Sequence, residues 1–231
     1  MASVQLPLYQ QISELLYREI SAGHWRPGER LPTEAELSKS LQVAVGTLRK
    51  ALTQLEEDGW LERKQGSGTY VRQQPFGKAI YQFFHLELPD SSGIPSAEII
   101  DVTSSKNREA CKHLNAEELW TIKRKRFINK TLVAIEQIWI DRRHSKNLMQ
   151  ENLHESLYLH YRNHFGFWIS RVEDEVTCEK PPKWVNHELE LTDQSGITVV
   201  KRRSWSQEDE VKEYSVTWLR PKKCKYVARW S

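Results

Sequence analysis

No stretch of the chain approaches the run of about 18 apolar residues needed to cross a bilayer. Its opening residues, MASVQLPLYQQ, have neither the basic start nor the apolar core of a secretory signal. A cytoplasmic protein with no membrane partner is the expectation. Cysteine is scarce and scattered. Cys111, Cys178 and Cys224 are odd in number, far apart and without a CxxC pair, which argues against a disulfide framework or a zinc cage and for reduced thiols. An excess of one charge is missing as well: 34 Lys and Arg face 31 Asp and Glu, a formal net charge of +3. That imbalance is too small to indicate nucleic acid by itself, although it leaves room for local basic patches. No internal repeat or low-complexity tract interrupts the chain. What is there is an ordinary globular composition, 39% hydrophobic and 28% charged, over 231 residues. At about 100–200 residues per domain, this is one large domain or two modest ones.

Residues 1–75 carry nine basic side chains against nine acidic ones, and the remainder 25 against 22, so neither part is a charged tail. In the first part Leu8, Ile12, Leu15, Leu16 and Ile20 recur at helical spacing until Gly23 stops the run. After the Pro27-Gly28 turn, Thr33-Glu34-Ala35-Glu36 forms a capping box that opens a second helix through Leu37 and Leu41. Leu48, Ala51, Leu52 and Leu55 mark the buried side of a third helix, from about Gly46 to Asp58. Residues 60–64 then alternate as a strand, Gln65-Gly66-Ser67-Gly68 turns, and Thr69-Tyr70-Val71 returns. A linker and first strand region follows over 74–95, with a strand expected around Tyr81 to Leu86. Beyond it strands are expected over 98–103, 120–128, 131–140, 167–177, 197–205, 211–219 and 226–230, and helices over 106–114, 151–165 and 182–189. This half reads as α+β with mainly antiparallel hairpins. The expected domains are 1–73, the 74–95 linker region, and 96–231.

Three helices followed by a glycine-tipped hairpin suit DNA binding. A helix-turn-helix lays its second helix in the major groove, and the hairpin beside it reaches the neighbouring backbone. With its leucines turned inward, the third helix presents Thr47, Arg49, Lys50 and Gln54 outward, while Glu56, Glu57 and Asp58 close its far end against the macrodipole. Arg63, Lys64 and Gln65 precede two glycines that permit close backbone approach. On pattern alone, the same residues also fit a small helical bundle with solvated charges and an exposed turn. Residues 7–72 closely resemble the winged helix-turn-helix of GntR-type bacterial regulators, most specifically in GERLPTEAEL, in TLRKAL with a leucine three residues on, and in RKQGSGTYV. By that likeness Arg30, Thr47, Arg49, Lys64 and Gly66 correspond to operator-contacting positions. The expected DNA-binding set is Arg30, Thr33, Thr47, Arg49, Lys50, Lys64, Gln65, Gly66 and Ser67. One departure stands out: many members have Ser-Arg at the entry to the third helix, where this chain has Ala44-Val45. The lost cap costs about 1 kcal/mol, and the lost arginine shifts readout toward Thr47, Arg49, Lys50 and the wing.

Among the second domains that such regulators carry, an aminotransferase-like one needs several hundred more residues, and an all-helical one disagrees with the strands. The chain is similar to the histidine-utilization-repressor branch, whose UTRA effector domain has a chorismate-lyase-like α+β fold. The likeness rests on IKRKRF (122–127), AIEQIWI, the SLY of HESLYLHY and the EYS of VKEYSVTWLRP. Strand alternation independently puts Arg124 and Arg126 on the face that holds Ile122 and Ile128, and Glu136 between Ala134 and Ile138 on its own strand. Two inward guanidiniums call for an anion, either a bound carboxylate or phosphate or a structural Arg–Glu bridge across the hairpin. The resemblance implies a pocket of Arg124, Arg126, Glu136, Ser156, Tyr158 and Glu213. It departs after the EYS strand, where Arg220-Pro221-Lys222-Lys223-Cys224 replaces a frequent Arg-x-Asp-Arg-Tyr and makes the site more cationic if the segment lines it.

Three other signals carry less weight. His160 and His164 stand four apart, a zinc-compatible spacing, but no third ligand is evident. Trp120, Trp139, Trp168, Trp205 and Trp218 fall in expected strands and read as core. Ser156 with His154 or His160 lacks the oxyanion motif and ordered acid of a hydrolase. The expectation is therefore a homodimeric transcription regulator, acting as a repressor, and not an enzyme, with no cofactor or metal. It would bind a palindromic double-stranded operator and a small anionic metabolite. The alternatives are a DNA-binding protein whose second domain retains lyase-like activity, and a regulator without an effector.

Overall fold

A computed structural model describes residues 6–21, 23–72, 83–90, 93–191 and 196–228. The chain falls into two compact units, one built mainly of Leu6–His85 and the other of Pro95–Val227.

In the first unit, α1 (Leu8–Ser21), α2 (Glu34–Ser40) and α3 (Val45–Glu57) precede a two-stranded wing, β1 (Leu61–Lys64) and β2 (Gly68–Val71). Each helix buries one stripe. Ile12, Leu16 and Ile20 of α1, Leu37 of α2, and Leu48, Ala51, Leu52 and Leu55 of α3 share a core with Leu31, Leu61 and Val71. Thr33 caps α2 as expected: its hydroxyl accepts the Glu36 N–H at 3.3 Å, and the Glu36 carboxylate accepts the Thr33 N–H at 2.8 Å. The wing pairs Leu61 with Val71 through to Lys64 with Gly68. The 28–31 segment braces it: Leu31 N–H donates to Thr69 O at 2.9 Å and Val71 N–H to Glu29 O at 2.9 Å.

The second unit is a six-stranded antiparallel sheet in the order β4-β5-β6-β9-β8-β7. Its strands are β4 (Pro95–Ser105), β5 (Leu119–Ile128), β6 (Thr131–Asp141), β7 (Ile169–Glu179), β8 (Ile197–Ser206) and β9 (Val211–Leu219). A short pair, β3 (Leu86–Glu87) with β10 (Lys225–Tyr226), lies apart from it. Strand alternation gives the sheet two unlike faces. One is apolar: Leu119, Ile135, Trp139, Val199, Tyr214, Val216 and Trp218 pack against Ala110 and Leu114 of α4 (Arg108–Leu114), and against Val185 of α6 (Lys183–Glu188) and Leu189. On the other face the register aligns Arg124, Glu136 and Thr217, then Arg202 and Ser215, then Ser204 and Glu213.

Several expectations need correction. The helix expected over 151–165 is broken into a 3-10 turn (Gln150–Asn152), a single α turn, α5 (Leu157–His160), and a π turn (Tyr161–Phe165) that ends at Gly166 with φ of 76°. Just ahead of α5 the Arg124 guanidinium donates to Glu155 O at 3.0 Å, so the chain there is tied to β5 instead of continuing a helix from the 3-10 turn. The strand expected around Tyr81 to Leu86 is only Leu86–Glu87 within the described chain, with Tyr81 and Gln82 outside it. The last strand is Lys225–Tyr226, and residues 229–231 lie outside the described residues. Trp120, Trp139 and Trp218 are buried, but Trp168 is exposed and precedes its strand. Trp205 is half-buried beneath the Arg171 guanidinium, 3.9 Å from its ring centroid.

Candidate functional site

The expected DNA-reading side chains lie on one unit but in different states. Thr33, Lys50, Gln65, Gly66 and Ser67 are exposed, and Thr47 is half-buried. Arg49 is exposed on α3 but not unrestrained: Glu34, at the start of α2, accepts from its Nη2 at 2.8 Å and its Nε at 3.0 Å. The two bonds to one carboxylate orient the guanidinium and, with the Glu34 charge, raise its pKa above the ordinary arginine value. Lys64 pairs with Glu62 at 2.9 Å and lies over the Tyr70 ring. Arg63 faces the protein instead, donating to Thr53 Oγ1 at 3.1 Å and to Arg49 O at 3.4 Å, and so ties the wing to α3. Gln54 donates to Asp58 at 3.2 Å. The two wing glycines differ. Gly66, at φ of 71°, would meet nothing with an added Cβ, whereas at Gly68, at φ of 128°, that Cβ would sit 2.7 Å from Arg30 Nε. Gly68 is therefore the position that lets Arg30 lie against the wing. At the head of α3, Ala44 provides no side-chain cap.

On the polar face of the second unit, five of the six expected effector residues fall into two contact groups, one around Glu136 and one at Glu213. Arg124 Nε donates to Glu136 Oε2 at 2.5 Å, and Arg126 Nε lies 3.7 Å from the same oxygen. Tyr158 OH donates to Glu213 Oε1 at 3.3 Å and lies 3.0 Å from Ser204 Oγ. The sixth, Ser156, is buried at the head of α5; its backbone N–H donates to His154 Nδ1 at 3.1 Å, and its hydroxyl caps nothing. Burial works to raise the Glu136 carboxyl, but the Arg124 and Arg126 guanidiniums outweigh it and hold the group below its ordinary range. Glu213 goes the other way: burial raises it despite the Tyr161 hydroxyl and Arg124. Two carboxyls a few residues apart in the sheet are thus pushed in opposite directions by their surroundings.

Sequence reasoning missed half of this cluster. Arg202 donates to both oxygens of Asp174, each at 2.6 Å; Tyr226 OH donates to Asp174 at 2.5 Å; Tyr161 OH donates to Glu213 at 2.6 Å. Alternation within KRRSW placed Arg202 beside Val200 and Ser204, and that signal was available. In the 220–224 segment Lys222 and Lys223 are exposed, and Arg220 pairs with Glu190 at 3.3 Å. His160 and His164 stack at 4.3 Å between ring centroids, and burial lowers the His160 pKa to about 4. Among the described residues no group of three or more His, Cys, Asp or Glu is placed to hold a metal ion, and no helix is long and apolar enough to cross a membrane.

A three-helix winged unit joined to an antiparallel α+β unit can be compared with known proteins. Residues 8–71 match the gntR family of bacterial regulatory proteins, and residues 92–225 match the UTRA domain. The chain belongs to the GntR family. This regulator is 40% identical over 225 residues to the HTH-type transcriptional regulator SmoD of Agrobacterium fabrum, covering 97% of this chain and 96% of that one. It is 28% identical over 215 residues to the mannosyl-D-glycerate transport/metabolism system repressor MngR of Escherichia coli, covering 90% of each. In fold it is similar to the crystal structure of the possible transcriptional regulator YydK from Bacillus subtilis, with a TM-score of 0.58 at 20% identity, covering 98% of this chain and 100% of that one. The regulator thus has the expected two-domain fold: a winged helix-turn-helix followed by a UTRA domain with a mainly antiparallel sheet.

Proposed function

We propose that this regulator is a cytoplasmic homodimer that binds a palindromic operator, and that a small anionic, hydroxylated metabolite bound in its UTRA domain modulates that binding. The reading rests above all on the charged cluster of the polar sheet face. Arg124 and Arg126 are 8% and 3% exposed and meet around Glu136, beside the hydroxyls of Tyr158, Tyr161 and Ser204 on Glu213. A buried ionic cluster is no more stable than well-packed apolar side chains and is often less so. Its presence on one face of a sheet whose other face is an ordinary core is therefore better explained by ligand handling than by folding. Guanidiniums offer paired donors to a carboxylate or phosphate, while Glu136, Ser156, Tyr158 and Glu213 offer partners to hydroxyls. MngR, a relative named for a system that handles mannosyl-D-glycerate, gives one instance of a hydroxylated acid. Two copies reading two half-sites, one helical turn or a multiple apart, would turn two weak contacts into one strong one. Arg30, Thr33, Thr47, Arg49, Lys50, Lys64, Gln65, Gly66 and Ser67 are assigned to the DNA side.

The test is fluorescence anisotropy of the full chain on duplexes from its own upstream region and on scrambled duplexes, at two salt concentrations, with and without a panel of sugar acids and sugar phosphates. Arg49→Ala is expected to weaken specific binding by about 1–3 kcal/mol while the ligand still acts. Arg124→Ala is expected to bind DNA normally and to lose the ligand response. Equal affinity of Arg49→Ala and parent, or an unchanged response of Arg124→Ala, would overturn the corresponding assignment.

A further inference from the structure

The head of α3 carries a side chain that neither packing nor hydrogen bonding explains. Val45 is the first residue of the helix and is 40% exposed, whereas Leu48, Ala51, Leu52 and Leu55 of the same helix are 0–2% exposed. Single exposed apolar residues are common and by themselves mean nothing. Three further observations set this one apart. Val45 and Arg49 are four residues apart and so occupy the same stripe of α3, one turn from each other. Arg49 on that stripe is itself exposed, its side chain 60% so, while it bonds Glu34, so the stripe faces outward. The neighbours Ala44 and Gly46 are both exposed and small, and a Cβ added at Gly46 would meet nothing within 4 Å. The isopropyl group therefore stands unshielded at the leading end of the helix, the end whose residues meet base edges when such a helix enters the major groove.

Valine has no donor or acceptor. Of the groups in the major groove, the one that rewards an apolar contact is the thymine C5 methyl. Any other base edge brought against Val45 loses hydration without gaining a hydrogen bond. We propose that Val45 is a specificity-determining residue that reads a thymine methyl in each operator half-site, at a base pair adjoining the one that Arg49 reads. The inference rests on the assignment of α3 as the DNA-reading helix.

The experiment selects duplexes from a random pool with the full chain, then replaces each thymine of the selected site by deoxyuridine, which removes the methyl group alone. Binding of the parent, Val45→Ala and Arg49→Ala is measured at one fixed salt concentration. The parent is expected to lose about fourfold at one thymine position per half-site, as for one buried methyl-sized group, and about sixteenfold when both half-sites are changed. Val45→Ala is expected to be indifferent to uracil at that position and to keep the uracil response elsewhere. Because the residue is exposed and alanine favours helix, the variant folds. Parent binding that is indifferent to uracil at every position, or the same loss in Val45→Ala, with a methyl contact then falling to Thr47, overturns the inference while α3 stays in the groove. A pool that enriches no sequence, or one that Arg49→Ala reads just as the parent does, overturns the assignment of α3 and the inference with it.

Discussion

Glu136→Ala tests whether the polar sheet face is the desolvated, charge-paired cluster described above. Glu136 Oε2 lies 2.5 Å from Arg124 Nε and 3.7 Å from Arg126 Nε. Both guanidiniums are buried. At an effective dielectric of about 20, two unit charges about 4 Å apart interact by about 4 kcal/mol. Deleting the carboxylate leaves two buried cations, with the Glu213 charge acting on Arg124 from further away. Removing one partner of a buried pair costs about 3–5 kcal/mol. Against a domain stability of about 5–15 kcal/mol, the variant should unfold about 10–20 °C lower. The assay is urea and thermal unfolding of the full chain, followed by the near-ultraviolet signal of the buried Trp120, Trp139 and Trp218. Asp101→Ala, which removes the half-buried, partly solvated Lys123 pair at 3.7 Å, serves as control and should cost about 1 kcal/mol or less. Glu136→Gln keeps an acceptor without the charge and should fall between the two. Added formate or acetate should recover part of the loss in Glu136→Ala and leave the parent unchanged. If Glu136→Ala matches the Asp101→Ala control, the guanidiniums are solvated and the argument for a ligand-handling cluster fails.

Three further outcomes follow from the geometry. Ala44→Ser adds the missing cap to α3 and should stabilise the first domain by about 1 kcal/mol; no rise in its thermal midpoint would mean that those N–H groups already have partners. Gly68→Ala drives a Cβ into Arg30 at a positive φ, while Gly66→Ala meets only the backbone cost. The first should lower wing stability and operator affinity by more than the about 1–2 kcal/mol of the second, and equal effects would mean that Arg30 moves aside freely. Glu213, with its carboxyl raised in the folded state, keeps a proton that the unfolded chain has already released. Its contribution is therefore fully present below the unfolded value and is lost as pH rises through the folded one. Urea midpoints from pH 4.5 to 8 should accordingly fall for the parent relative to Glu213→Gln, and a flat difference would refute the raised pKa.

Elements whose stability is local were legible from sequence. The helical stripe of α1, the capping box at Thr33, the buried leucines of α3 and the alternation of β5 and β9 each depend on residues within one or two turns or strands of themselves, and each stands where the periodicity put it. The 151–165 segment, read as one helix, is divided where Arg124, 31 residues away, bonds the Glu155 carbonyl; nothing in its own spacing records that contact. Arg202 and Asp174 meet only because β8 pairs with β7, a register that connects residues 28 apart. The Glu34–Arg49 pair joins two helices across 15 positions. The closeness of Gly68 to Arg30 belongs to the bracing of the wing by the 28–31 segment. What was illegible is what long-range packing decides.

The two domains use charge in opposite ways, and the small net charge conceals both. In the winged domain the cations are exposed and paired with exposed or half-buried carboxylates, Arg49 with Glu34 and Lys64 with Glu62. Such pairs are worth under about 1 kcal/mol, so phosphates and guanine edges can replace the carboxylates at little cost, and the field that attracts DNA grows as they do. In the UTRA domain Arg124 and Arg126 share Glu136, and Arg202 holds Asp174, away from water. There a partner can be exchanged only for another of the same charge, since an uncompensated guanidinium costs several kcal/mol. On the proposed reading this rejects neutral sugars, whose hydroxyls can satisfy Tyr158 and Glu213 but cannot replace the charge of a displaced carboxylate. It admits a hydroxylated acid, whose anionic group takes over one guanidinium while its hydroxyls meet the tyrosines. Arg124 bonds Glu136 through Nε and the Glu155 carbonyl through Nη1, so a ligand that takes over Nε and moves the guanidinium would be felt at Glu155. The segment is therefore where a response to the effector should begin, and hydrogen exchange at residues 155–165 with and without ligand is the measurement that would reveal it.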